Sequence, residues 1–132
     1  MRNKLIVLVE DDLNLRQSIA LILQRAGFFV TATDCVHKAL GFIQSESYHM
    51  LIADINMPGT EKVLLPGLLG THPELSIVIL TDQSASEIEK EDKLLSAHYL
   101  IKPIAPERLL DCVGTIMGSN SHRGIINGTP VP

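Results

Sequence analysis

The sequence predicts an α/β fold, a single domain built on a parallel five-stranded sheet with helices on both faces. Two observations predict it. Five short apolar runs alternate with segments of helical periodicity, each unit about 20–25 residues long. Four of the five runs stop at a residue able to handle a phosphoryl group. That is expected where the carboxyl ends of parallel strands line one ligand-binding edge.

The elements follow in order. Leu5-Ile6-Val7-Leu8-Val9 stops at Glu10-Asp11-Asp12. From Leu13 to Ala26 the apolar residues Leu15, Ile19, Ile22, Leu23 and Ala26 recur at helical spacing. Asp12 or Asn14 caps the start of this helix, and Gly27 ends it. The second run, Phe28-Phe29-Val30, carries nothing reactive and leads into a helix from about Asp34 to Glu46, with Val36, Ala39, Leu40 and Ile43 inward. Met50-Leu51-Ile52-Ala53 stops at Asp54. The third helix, Glu61 to Leu69, is apolar at Val63, Leu64, Leu65, Leu68 and Leu69 but holds Pro66 and Gly67. Proline costs about 3 kcal/mol inside a helix, so a short, kinked or late-starting helix is expected.

Ile77-Val78-Ile79-Leu80 stops at Thr81. The fourth helix, Ser84 to Leu95, is mostly polar, with Ile88, Leu94 and Leu95 as anchors and Ser86 with Glu89 as a capping box. Tyr99-Leu100-Ile101 stops at Lys102-Pro103. The fifth helix opens at Pro106 and is expected to bury Leu109, Leu110, Val113, Ile116 and Met117. Right-handed crossovers leave few topologies, and the flavodoxin-like order 2-1-3-4-5 suits this length. The domain is assigned to residues 1–118. Residues 119–132, rich in Gly, Ser, Asn and Pro, read as a flexible tail or the start of a linker.

Composition narrows the function classes. Of 132 residues, 45% are hydrophobic and 20% charged, which suits a packed domain rather than a disordered chain. The net charge of -4 disfavours nucleic acid as a direct partner. No run approaches the roughly 18 apolar residues of a membrane span, and the N-terminus lacks a signal-peptide pattern. A cytoplasmic location is the default expectation. Cys35 and Cys112 read as reduced thiols. His37, His49, His72, His98 and His122 show no metal-ligand spacing and are assigned no role, while Met50 and Met57 read as core or loop fillers.

The strand-end residues suggest phosphoryl chemistry. Asp54 leaves a buried strand for the loop Ile55-Asn56-Met57-Pro58-Gly59, and a carboxylate can attack phosphorus to form an acyl phosphate. Glu10 and Asp11, brought close to it, would need a cation to stay ionised together. Mg²⁺ suits carboxylates, waters and phosphate oxygens. Lys102 offers a point charge for a phosphate oxygen and Thr81 a hydroxyl. Little further covalent machinery is required, because phosphoryl transfer is mostly positioning and charge neutralisation.

Four pieces carry a resemblance: Val7-Leu8-Val9-Glu10-Asp11-Asp12, Asp54-Ile55-Asn56-Met57-Pro58-Gly59, Ile79-Leu80-Thr81 and Tyr99-Leu100-Ile101-Lys102-Pro103. From about residue 3 to 118 the chain resembles the receiver domain of two-component response regulators. The resemblance implies that Asp54 is the phosphoacceptor, charged by a sensor histidine kinase, a phosphotransfer protein or acetyl phosphate. It implies that Glu10, Asp11, Asp54 and the backbone carbonyl of Asn56 surround Mg²⁺. Lys102 would hold the phosphate, Thr81 would move toward it, and Tyr99 would turn inward as the switch aromatic. The face made by the fourth helix, fifth strand and fifth helix would change for an effector protein or an attached output domain, or for a phosphorylation-dependent homodimer. Asn56 and Gln83 occupy the positions that tune dephosphorylation. The resemblance also implies a cis peptide between Lys102 and Pro103.

Departures from the family pattern are Lys62 in place of a glycine, Asp82 in place of a small residue after the threonine, and Ser96-Ala97 in place of Gly-Ala. All five key residues are present, so an active receiver is expected rather than a degenerate one. One alternative is the N-terminal receiver of a longer DNA-binding regulator, although no helix-turn-helix follows Gly118. A second is a small aspartyl-phosphate phosphatase, which would place Asp-x-Asp on the first strand. A nucleotide- or flavin-binding module is disfavoured, because the first strand ends in acids where phosphate loops need glycines.

Overall fold

The computed structural model describes residues 4–68, 70–84, 87, 97–118, 125–126 and 129–130. Five parallel strands, β1 (Leu5–Val9), β2 (Phe29–Thr33), β3 (Met50–Asp54), β4 (Ser76–Thr81) and β5 (His98–Ile101), form the sheet. Their order is β2-β1-β3-β4-β5, the flavodoxin-like arrangement expected from the sequence. Two short strands, β6 (Ile125–Ile126) and β7 (Thr129–Pro130), continue it past β5, with Ile126 in register with Tyr99. Two-residue strands carry too little alternation to be read from sequence.

The strands are apolar throughout, yet alternation still sorts their side chains between two layers. Ile6, Leu8, Met50, Ile52, Val78 and Leu80 pack with Ile19 and Leu23 of α1 (Leu13–Arg25) and with Leu109 and Val113 of the C-terminal helix Pro106–Gly118. Val7, Val9, Leu51 and Ala53 face the opposite way, against Val36, Ala39 and Ile43 of α2 (Val36–Ser45) and Leu64 and Leu68. Fully burying an aliphatic side chain of this size contributes about 1.5–3 kcal/mol. Both layers stop where the polar strand ends begin, which fixes the edge that carries the reactive groups.

Asp12 caps α1 by accepting from the Leu15 N–H at 3.0 Å, and Gly27 follows the helix in left-handed backbone. The third helix departs from regular α geometry. Thr60–Leu64 forms a π-helical turn, with the Leu64 N–H donating to Gly59 O at 2.9 Å, and α3 follows as Leu65–Leu68. The widened turn stands directly before Pro66, which has no N–H to continue a regular helical ladder. Gly59 opens this turn at φ 89, a backbone that side chains rarely adopt. Gly67 looks like a breaker in sequence but sits against α2, where an added Cβ would lie a tight 3.3 Å from Leu40 Cδ1.

Two expectations are corrected in detail. Leu110 is 38% exposed, and its place in the core is taken by Cys112, which is fully buried; burial pushes that thiol up to about 12. Ala26, read as the last apolar position of the helical spacing, is exposed at the end of α1. Both cysteines are free. The expected fourth helix lies outside the described residues except for Ser84 and Glu87. Ser84 Oγ accepts from the Glu87 N–H at 3.3 Å and donates to Glu87 Oε1 at 3.1 Å, a capping pair two residues ahead of the one read from sequence. Among the described residues no helix is long and apolar enough to cross a membrane.

Candidate functional site

β1, β3, β4 and β5 are adjacent and parallel, so Glu10, Asp54, Thr81 and Lys102 arrive at one edge of the sheet. Backbone hydrogen bonds carry the register past the last strand residues. The Ile55 N–H donates to Leu80 O at 3.0 Å and the Lys102 N–H to Thr81 O at 2.8 Å. The strand-end residues are therefore fixed relative to one another by the sheet rather than by loop conformation.

Asp54 is the last residue of β3 and is buried, with one carboxylate oxygen accepting from the Asn56 N–H at 2.9 Å. Its other oxygen takes the Lys102 ammonium at 2.7 Å. Glu10 is also buried, its Oε2 lying 4.0 Å from Lys102 Nζ. Glu10 Oε1 accepts from the Asp12 N–H at 3.2 Å, whereas Oε2 has no hydrogen-bond partner. Asp11 stands beside them, exposed, and one carboxylate oxygen from each of Glu10, Asp11 and Asp54 lies within 4.8 Å of the others.

Charge is costly here. Burial, reinforced by the neighbouring Asp54, pushes the Glu10 carboxyl up to about 7 from its ordinary 4.5, although the Asp12 N–H and Lys102 oppose the shift. Burial pulls the Lys102 ammonium down, but the Asp54 hydrogen bond and the charges of Glu10, Asp54 and Asp82 outweigh it and hold the group above its ordinary value. A buried carboxylate oxygen without a donor, inside a set of oxygen ligands, is what a hard divalent cation satisfies. The residues present fit Mg²⁺.

Thr81 closes β4, buried, with Oγ1 accepting the Gln83 N–H at 3.1 Å. Gln83 and Asn56 are exposed at the rim. The Lys102–Pro103 peptide is cis. Tyr99 lies apart from the acids, half-buried on β5 and packed against the cluster of Leu65, Ile79 and Ala97. His98 is buried with its pKa lowered by desolvation and its Nδ1 without a hydrogen-bond partner among the described residues, while His49 Nδ1 accepts from the Leu5 N–H, a structural use.

Two contributions escaped sequence reasoning. Arg16 donates from Nη1 to the Glu10 carbonyl at 2.8 Å, pinning the loop that presents Glu10 and Asp11. Its place one turn into α1 was the available signal. Asp82 accepts from Asn56 Nδ2 at 3.0 Å, a contact between two loops that no local pattern reveals.

A family model described as the response regulator receiver domain matches residues 6–114. The chain belongs to that family. Receivers of this family are signalling domains, not turnover enzymes. The chain is 34% identical over 110 residues to the response regulator protein FleR of Pseudomonas aeruginosa, covering 82% of this chain and 23% of FleR. It is 29% identical over 111 residues to the response regulator receiver protein CpdR of Brucella abortus, covering 79% of this chain and 92% of CpdR. Among solved structures, chemotaxis response regulator CheY4 of Vibrio cholerae superposes with a TM-score of 0.71 at 28% identity, covering 87% of this chain and 99% of that one. The receiver thus spans less than a quarter of FleR, and 52% of the transcriptional regulatory protein FixJ of Bradyrhizobium diazoefficiens.

Proposed function

We propose that the receiver works in the cytoplasm as the phosphoacceptor of a two-component relay, with Asp54 receiving a phosphoryl group from a sensor histidine kinase, a phosphotransfer protein or acetyl phosphate. The observation that carries this reading is the Lys102 ammonium 2.7 Å from the Asp54 carboxylate within the Glu10, Asp11 and Asp54 cluster. An Asp54 oxygen bonds to phosphorus as the bond to the donor breaks, and the donor leaves with that electron pair. Mg²⁺ bound by Glu10, Asp11, Asp54 and the Asn56 carbonyl would neutralise charge on the phosphoryl oxygens. Lys102 then passes from the carboxylate to a phosphoryl oxygen, and Thr81 turns its hydroxyl from the Gln83 N–H toward another. Tyr99 follows Thr81 along β4 and β5 and alters the neighbouring face, which is read by an effector protein, an output domain or a second copy.

The partial coverage of FleR and FixJ supports a receiver joined to an output domain, and the near-complete coverage of CpdR supports one that stands alone. Incubating the chain with acetyl phosphate and Mg²⁺ and mapping the adduct by mass spectrometry tests the reading. One stoichiometric, Mg²⁺-dependent modification at Asp54, absent from Asp54→Asn, supports it. Multiple turnover of a generic phosphate ester, or labelling elsewhere, overturns it in favour of a phosphatase or another acceptor.

A further inference from the structure

Asn56 is held at two points. Its backbone N–H donates to Asp54 Oδ1 at 2.9 Å, and its side-chain amide donates from Nδ2 to Asp82 Oδ2 at 3.0 Å. The second bond ties the loop after β3 to the loop after β4, 26 residues away. Asn56 and Asp82 are both exposed while Asp54 is buried, so the tie lies at the mouth of the pocket that holds the carboxylate. Asp82 also raises the pKa of Lys102, which places its charge beside the same pocket.

We propose that Asp82 is a positioning residue that draws the Asn56 amide onto itself, away from the water that attacks a phosphoryl group on Asp54, and so prolongs the phosphorylated state. The proposal rests on the phosphoacceptor reading of Asp54. In the controlled step a water oxygen bonds to phosphorus and the bond from phosphorus to the Asp54 oxygen breaks. The electron pair returns to the carboxylate, one water proton stays on the released phosphate and the other passes to solvent. An amide near that path accelerates the step only while it is able to hold the water in line. A carboxylate competes well for that amide, because a hydrogen bond to an ionised acceptor is stronger than one to a neutral partner. With a small side chain at position 82, nothing from the β4 loop would restrain the amide.

The test compares variants labelled with acetyl phosphate and Mg²⁺, freed of donor and followed for loss of label, each checked for folding by circular dichroism. Asp82→Ala should shorten the half-life by about tenfold or more, the scale expected when one charge-assisted hydrogen bond is released. Asp82→Asn keeps an oxygen able to accept from Asn56 Nδ2 but loses the charge, so its lifetime should fall between those of Asp82→Ala and wild type. In an Asn56→Ala background, Asp82→Ala should change nothing, the mark of a residue acting through another. Equal lifetimes for Asp82→Ala and wild type overturn the proposal alone. So does an Asp82→Asn lifetime as short as that of Asp82→Ala, which would show charge rather than the bond in control. A chain that takes no label in any background overturns the acceptor reading, and the proposal with it.

Discussion

The Lys102 ammonium bridges two acids from different strands, 2.7 Å from Asp54 Oδ2 and 4.0 Å from Glu10 Oε2. Both carboxylates are nearly inaccessible, at 1% for Glu10 and 4% for Asp54, whereas the Lys102 side chain keeps 21% exposure. The cation is thus the internal counter-charge of a buried anionic pair, with one side open to solvent. An ammonium held this way can follow negative charge outward when a phosphoryl group is added.

Removing that counter-charge should leave two buried carboxylates opposed. Lys102→Met is expected to destabilise the metal-free chain by about 2 kcal/mol at pH 8, the scale of one hydrogen bond to a charged partner. Millimolar Mg²⁺, or a lower pH that lets Glu10 take up a proton, should restore much of the loss. Urea unfolding at pH 8 and pH 5.5, with EDTA or Mg²⁺, measures it. A variant as stable as wild type in EDTA at pH 8 would show the bridge to be energetically silent.

Glu10 gives the site a pH dependence of a definite sign. Its carboxyl is raised from 4.5 to about 7, so between those values the folded chain holds a proton that the unfolded chain has released. Its stabilising contribution is fully present below about 4.5 and is lost as pH rises through about 7. A divalent cation must displace this proton, so Mg²⁺ affinity should fall below pH 7 by up to about tenfold per pH unit. Thermal-shift titrations at pH 6 and pH 8 check this, and Glu10→Gln should flatten the difference. Equal affinities at both pH values in wild type would remove Glu10 from the cation site.

The strand ends were legible because each apolar run is short and breaks sharply into a polar residue, as Leu51-Ile52-Ala53 does at Asp54. A parallel sheet then converts that linear pattern into one edge without further information. The packing of Gly67 against Leu40 was not legible, since a helix-breaking residue and a close helix contact leave the same mark in a sequence. Leu110 and Cys112 show the same limit: both lie within one turn of the apolar stripe, and only the angle at which the helix meets the sheet decides which is buried. The Asn56–Asp82 bond is a product of two loops meeting, to which periodicity is blind.

Asp82 also places a negative charge where an anionic donor must pass. Asp82→Asn should speed labelling of Asp54 by acetyl phosphate roughly three- to tenfold at low ionic strength, as expected for removing one charge several ångströms from a dianion in high dielectric. The gain should shrink at 0.5 M salt, where screening does the same work. Initial labelling rates at two salt concentrations separate this from the lifetime effect. A salt-independent rate ratio would point to bulk rather than charge.

Asn56 and Gln83 offer a final check on how the phosphorylated state decays. Both are exposed amides, on the loops after β3 and β4 that flank Asp54. Replacing both with leucine removes the groups able to hydrogen-bond a water and adds apolar bulk over the pocket mouth. The half-life of the acyl phosphate should lengthen by about tenfold or more, the effect of about 1.4 kcal/mol on the hydrolysis barrier. Labelling itself should persist, because neither side chain is needed to form the bond to phosphorus. Decay of label after donor removal, measured for both single variants and the double, gives the result. A double variant that decays at the wild-type rate would show that water reaches phosphorus without help from either amide, leaving the geometry of Lys102 and the acids to set the rate.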